Sequence, residues 1–213
     1  MSTATATPLP KLVVGLGNPG QVYADTRHNT GFAVVDRVLE RLKSSEPWRA
    51  DGDVAVVTVK VDGRPLRLVK PLTYMNASGP AVLRLLTESE ARPDEILVVY
   101  DCLDLPLGRL RLRSGGGSGG HRGVASIIDA LGSSEFPRLR IGIGRQADMP
   151  VVDFVLSGWT ESEKQVIDQA ISAAADAVLL AAKSGVARAM NRYNRWSPDA
   201  ETPPANPTAE GVA

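Results

Sequence analysis

Sulfur and imidazole are scarce in this chain: 213 residues include one cysteine, Cys102, and two histidines, His28 and His121. A single thiol rules out an internal disulfide and a thiolate-rich metal site, and it points to a reducing compartment. There is no excess charge of either sign, since 24 basic side chains balance 24 acidic ones. That balance argues against a protein that coats nucleic acid indiscriminately. No basic, then apolar, secretory leader is visible in Met1 to Pro10. The longest nearly apolar run, Ala170 to Ala182, is short for a bilayer span and contains Asp176. The expectation is a cytoplasmic protein with no membrane partner.

What is present fits one α/β domain, with 43% hydrophobic and 23% charged residues. Proline-containing ends, 1–10 and 197–213, are expected to be tails around a domain at 11–196. Leu12 to Leu16 reads as a buried strand, and Phe32, Val35, Val38, Leu39 and Leu42 recur at helical spacing. Val54 to Val61 and Leu66 to Val69 flank Asp62-Gly63, a favoured hairpin turn. A helix at Ser78 to Thr87, a strand at Ile96 to Tyr100, an alternating strand at Arg109 to Arg113, a helix at Gly123 to Leu131 and a strand at Leu139 to Ile143 follow. Thr160 and Glu163 have capping-box spacing before a long apolar-faced helix that Gly185 ends, and a short basic helix, Val186 to Arg195, comes last. These elements predict a mixed, mostly parallel sheet flanked by helices.

Two glycine motifs point to chemistries that their surroundings do not support. Gly15 to Gly20 spells G-x-G-x-x-G after a strand, but a dinucleotide site needs its helix to open at the glycines, and here the helix starts near His28. Gly116 to Gly120 spells G-x-S-x-G, yet the only histidine beyond Ser118 is His121, too close to complete a nucleophile triad. Cys102 beside Asp101 is a poor thiolate candidate, because an adjacent carboxylate disfavours the anion. With two histidines, no sulfur cluster and no paired carboxylates at helical spacing to them, a metal site is not expected, and no cofactor motif is present.

What remains is a constellation suited to hydrolysis by activated water: a base, a group to orient it, and dipoles for an oxyanion. His28 stands at a loop-to-helix boundary. Asp101 ends an apolar strand, where open α/β sheets place their chemistry and where a carboxylate can hold an imidazole in one tautomer. Asn18 and Asn76 could aim amides at a substrate carbonyl or ribose, or could serve as turn and cap residues. Between Arg109 and Arg145, seven arginines face only two acids, a phosphate-facing patch or a solvated sheet edge.

Taken in order, Gly15 to Gly20, Tyr23, Thr26-Arg27-His28-Asn29, Lys70 to Gly79, Asp101 with Leu103 to Pro106, Gly115 to Gly123 and Arg138 to Gly144 resemble the signatures of bacterial-type peptidyl-tRNA hydrolases. The likeness runs from Leu12 to Arg195. It implies a monomeric, metal-free enzyme that cleaves peptide from tRNA, with His28 as general base, Asp101 as its orienting partner, and Asn18 and Asn76 holding the peptide and ester. It also implies that Met75 lines the cleft, Tyr23 meets the tRNA end, His121 belongs to a loop gripping substrate, and Arg113 and Arg140 meet phosphate. Two positions depart from the family pattern: Cys102 stands where a second acid is usual, and Arg122 where an asparagine positions substrate. Arg122 raises a rival reading, an RNA-binding relative of the same fold without turnover.

Overall fold

The computed structural model describes residues 8–198. Of the tails expected at 1–10 and 197–213, residues 1–7 and 199–213 lie outside the described residues. Residues 8–10 are not a free tail: Pro10 is buried just ahead of the first strand and Pro8 and Leu9 are half-buried.

Seven strands form one sheet in the order β2-β3-β4-β1-β5-β7-β6. Its parallel centre is β4 (Arg64–Pro71), β1 (Leu12–Gly15), β5 (Ile96–Cys102) and β7 (Arg138–Gly142). β1 and β5 are buried at every position, as strands covered on both faces must be. Antiparallel strands close both flanks: β3 (Val54–Val61) with β2 (Arg49–Asp51) on one side, and β6 (Leu110–Arg113) on the other. Asp62 and Gly63 join β3 to β4 with φ of 49° and 77°, and two consecutive positive φ values make the tight turn whose twist matches its strands.

Helices cover both faces. α1 (Thr30–Arg41), α5 (Glu161–Ser184) and α6 (Val186–Tyr193) pack over one core, which includes Val13, Leu97, Val99 and Leu139. α2 (Ser78–Glu88) and α3 (Arg122–Leu131) cover the other, with Val14, Val98 and Phe136. By length and composition α5 could cross a membrane. Here Ala170, Ala174, Val178 and Ala181 enter the core, while Asp168 and Asp176 face outward and pair with Arg37 and Arg41. A short helix, α4 (Val151–Leu156), was not anticipated; six residues are too few for helical periodicity to show.

The layers leave a crevice at the carboxyl ends of β1 and β5. The helix after β1 lies on one face and the helix after β5 on the other, which makes this the switch point where α/β sheets hold ligands. α1 reaches this point only because its second residue is glycine. A Cβ on Gly31 would collide with the backbone of Leu16 and Val99. Gly31→Ala is expected to destabilise the fold by about 1–3 kcal/mol or more, measured by urea unfolding, because the obstacle is backbone just past β1 and within β5 and cannot rotate away.

Candidate active site

A cleft of about 300 Å3 opens at this crevice. Asn18, Tyr23, His28, Met75, Asn76, Asp101, His121, Arg122 and Arg140 all border it, so nine of the ten residues singled out in the sequence converge on one place. Arg113 does not. It is exposed at the end of β6, opposite Arg138 in the register.

His28 sits on a single helical turn, Arg27–Asn29, that leads into α1 and is fixed from both sides. The side chain of Asn29 pairs with the backbone of Asn18, accepting its N–H at 2.8 Å and donating to its carbonyl at 3.0 Å. Arg27, 4% exposed, lies between the rings of Phe154 and Trp159, each 4.5 Å from its guanidinium. It donates to the Gly158 carbonyl and to both oxygens of Glu163 at 2.9 and 3.0 Å. Glu163 in turn accepts the Thr160 backbone N–H at 2.8 Å, so the cap of α5 and the seat of His28 share one carboxylate. The spacing of Thr160 and Glu163 revealed the cap; nothing local to either residue reveals Arg27.

His28 Nδ1 lies 2.9 Å from Asp101 Oδ1, and His121 Nε2 lies 3.1 Å from the same oxygen. The two rings are 4.9 Å apart, and His121 also packs against Tyr100. The His121 tautomer follows from its place as N-cap of α3: its Nδ1 accepts the Val124 backbone N–H at 3.2 Å, so its proton is on Nε2 and is donated to Asp101. Burial alone would push the Asp101 carboxyl up. The facing N–H of His121, followed by that of His28, outweighs it and holds the carboxyl well below the usual range. With the carboxylate ionised, His28 donates from Nδ1, which leaves Nε2 as a lone pair with no hydrogen bond among the described residues.

Asn18 is oriented just as firmly. Its Oδ1 accepts the Met75 backbone N–H at 2.8 Å, which fixes the amide's direction and leaves Nδ2 without a protein partner among the described residues. Asn18 is thus a donor looking for an acceptor in the cleft. Asn76 is exposed on the rim. Tyr74, Val151 and Val152, three of the largest exposed apolar side chains, line the same opening with Val155 and Leu156. The contribution of α4 to the site was therefore missed along with the helix.

His28, Asp101 and His121 bring three donor atoms within 4.8 Å of one another, a grouping that sequence spacing did not suggest. It does not suit a metal ion. His121 would have to offer Nε2, the atom that carries its proton, and moving that proton to Nδ1 would oppose the Val124 N–H.

The arginine cluster divides. Arg138, 1% exposed, spends its donors on the carbonyls of Gly117 and Ser134, both at 2.9 Å, and anchors the glycine loop. Arg109 binds carbonyls of Asn194, Arg195 and Trp196, and Arg145 faces Asp104 at 3.7 Å. Arg140 reaches Cys102 Sγ at 2.9 Å and Asp104 at 3.3 Å, so Cys102 is a buried contact beneath it. Arg111, Arg113 and Arg122 have no acidic partner among the described residues.

The sequence as a whole matches the peptidyl-tRNA hydrolase family model over residues 12–202. The chain belongs to the peptidyl-tRNA hydrolase family. It is 48% identical to the peptidyl-tRNA hydrolase of Aquifex aeolicus over 186 residues, covering 87% of this chain and 96% of that one. With the peptidyl-tRNA hydrolase of Geobacillus kaustophilus it shares 47% identity, over 86% of this chain and 99% of the relative. The crystal structure of peptidyl-tRNA hydrolase from Acinetobacter baumannii superposes with a TM-score of 0.84 at 36% identity, covering 92% of this chain and all of that one. The fold and family implied by the ordered motifs both hold, and the His28–Asp101 pair stands in a peptidyl-tRNA hydrolase frame.

Proposed function

We propose that this protein hydrolyses the ester between a peptide and the 3′ ribose of tRNA, and that His28 is its general base. The observation that carries the reading is the imidazole held by Asp101 through Nδ1 with its other nitrogen turned to the cleft. Water bound beside His28 gives a proton to Nε2 as its oxygen adds to the ester carbonyl. Asp101 steadies the imidazolium that results. The carbonyl oxygen takes up negative charge opposite the Asn18 Nδ2 donor, whose orientation is set before substrate arrives. Collapse expels the ribose oxygen, which recovers the proton from His28, and releases peptide acid and tRNA.

Around this centre, Asn76, Met75 and Tyr23 hold the peptide and the terminal nucleotide. His121 fixes the loop against Asp101, and Arg122, Arg140 and Arg113 take phosphate. The apolar rim of Tyr74, Val151 and Val152 suits side chains of the bound peptide. The protein acts as a monomer in the cytoplasm, where its substrate arises, and needs no metal or other cofactor. Nothing at the site favours a silent RNA binder, since base, orienting carboxylate and amide donor are all assembled.

The test is release of the acyl group from N-blocked aminoacyl-tRNA in the presence of a chelator, beside unblocked aminoacyl-tRNA. Cleavage of the blocked ester alone is expected. Binding of both without cleavage would overturn the proposal.

A further inference from the structure

One basic element plays no part in the chemistry above. The stretch Gly185 to Pro198 contains Arg188, Arg192 and Arg195 and no acid. α6 turns Val186, Ala189 and Tyr193 into the core. At 3.6 residues per turn, Arg188 and Arg192 emerge away from that buried face, and Arg195 follows in the turn just past the helix end, the three spread along about 10 Å. All three are exposed, and none has an acidic partner among the described residues. A solvated helix face in a chain of zero net charge would carry mixed signs; this one carries a single sign.

The helix is also fixed rigidly, and to a relevant strand. Asn194 accepts the Leu112 backbone N–H at 2.6 Å and donates to its carbonyl at 3.2 Å, which pairs the free edge of β6. Arg109 gathers the carbonyls of Asn194, Arg195 and Trp196 at the helix end. α6 thus runs along β6, whose Arg111 and Arg113 also lack acidic partners. Its last turn comes beside Arg109, at the cleft end of the sheet, because Leu110 pairs with Ile141 and Ile141 with Asp101.

We infer that Arg188, Arg192 and Arg195 form a second phosphate track, which takes the backbone of the double-helical stem of the tRNA while its unpaired 3′ end lies in the cleft. The inference rests on the proposed substrate. Its geometry follows from the sheet: two strand spacings of about 4.8 Å separate β5 from β6, and a helix layer adds about 10 Å. The track therefore stands roughly 15–20 Å from Asp101, a distance that a few unpaired nucleotides span and beyond which the stem must begin. Three guanidinium groups, two on the helix and one in the turn that ends it, suit successive phosphates and read no base, as an enzyme serving many tRNAs requires.

The experiment compares wild type with the combined Arg188→Gln, Arg192→Gln, Arg195→Gln variant on two substrates: N-blocked aminoacyl-tRNA and the same blocked ester on a short CCA-ended oligonucleotide. On tRNA, KM should rise at least about tenfold with kcat unchanged, and the log–log salt dependence of kcat/KM should flatten by about 0.9 per lost contact. The short substrate should be cleaved at the wild-type rate, which also shows that the variant is folded. Combined lysine replacements should keep the wild-type KM. Unchanged KM and salt slope on tRNA, or equal losses on both substrates, would overturn the track while leaving the hydrolase reading intact. If wild type cleaves neither substrate, both readings fail.

Discussion

His28→Ala is expected to lower the single-turnover rate on blocked aminoacyl-tRNA by about 10²–10⁴, the usual contribution of a positioned general base. The affinity for tRNA should hardly change, because the side chain is only 11% exposed and offers the cleft one nitrogen, while phosphate is proposed to be met by other side chains, the arginines. Rate and binding therefore separate, and a quench-flow measurement beside a filter-binding titration reads them independently. The fold should survive. Asp101 keeps the hydrogen bond from His121, and the turn that carries residue 28 is held by Arg27 and Asn29 rather than by the imidazole. Near-normal turnover in the variant would remove His28 from the mechanism. A parallel loss of binding would instead make it a substrate contact.

The strands and helices that position this residue could be read from the sequence wherever a segment was long enough to show its period. Leu12 to Gly15 and Ile96 to Tyr100 are continuous apolar runs because both of their faces are covered, and the Asp62-Gly63 turn announced the hairpin. β2 and α4 escaped because three exposed residues and six mixed ones carry no period. The same limit applies within the site. Motif order brought out most of the residues that border the cleft, since each motif is local, but not the α4 side chains Val151, Val152, Val155 and Leu156. What it could not show are contacts between distant motifs: Arg27 clasped by Phe154, Trp159 and Glu163, and His121 turned onto the oxygen that also binds His28. The arginine patch illustrates the converse. Seven charges in sequence suggested one surface, yet Arg138 is buried among carbonyls and Arg109 is a structural clamp.

Asp101→Asn should be nearly as damaging as loss of the base, for a reason that lies in the sharing of one oxygen. In the wild type, Oδ1 accepts two imidazole N–H groups, and the His121 donor is fixed by Val124. An asparagine can keep its oxygen toward both rings only by presenting its NH2 group to whatever neighbours the second carboxylate oxygen, and it loses the charge that steadies an imidazolium. If the amide flips, its N–H faces two N–H donors, and His28 must move its proton to Nε2 and cease to be a base. Comparable replacements behind catalytic histidines cost about 10⁴ in kcat, and a loss of about 10³–10⁴ is expected here, with tRNA binding preserved. A stability measurement provides an independent reading. The Asp101 carboxyl is held below its ordinary value, so its contribution is fully present above the unfolded pKa of about 3.9 and is lost as pH falls toward the lower folded value. The stability gap between wild type and Asp101→Asn should therefore narrow as pH falls below about 4. A gap that stays constant through the acid range would mean that the carboxylate's partnership with the two histidines does not stabilise the fold, and a variant that turns over normally would mean that it does not serve the chemistry.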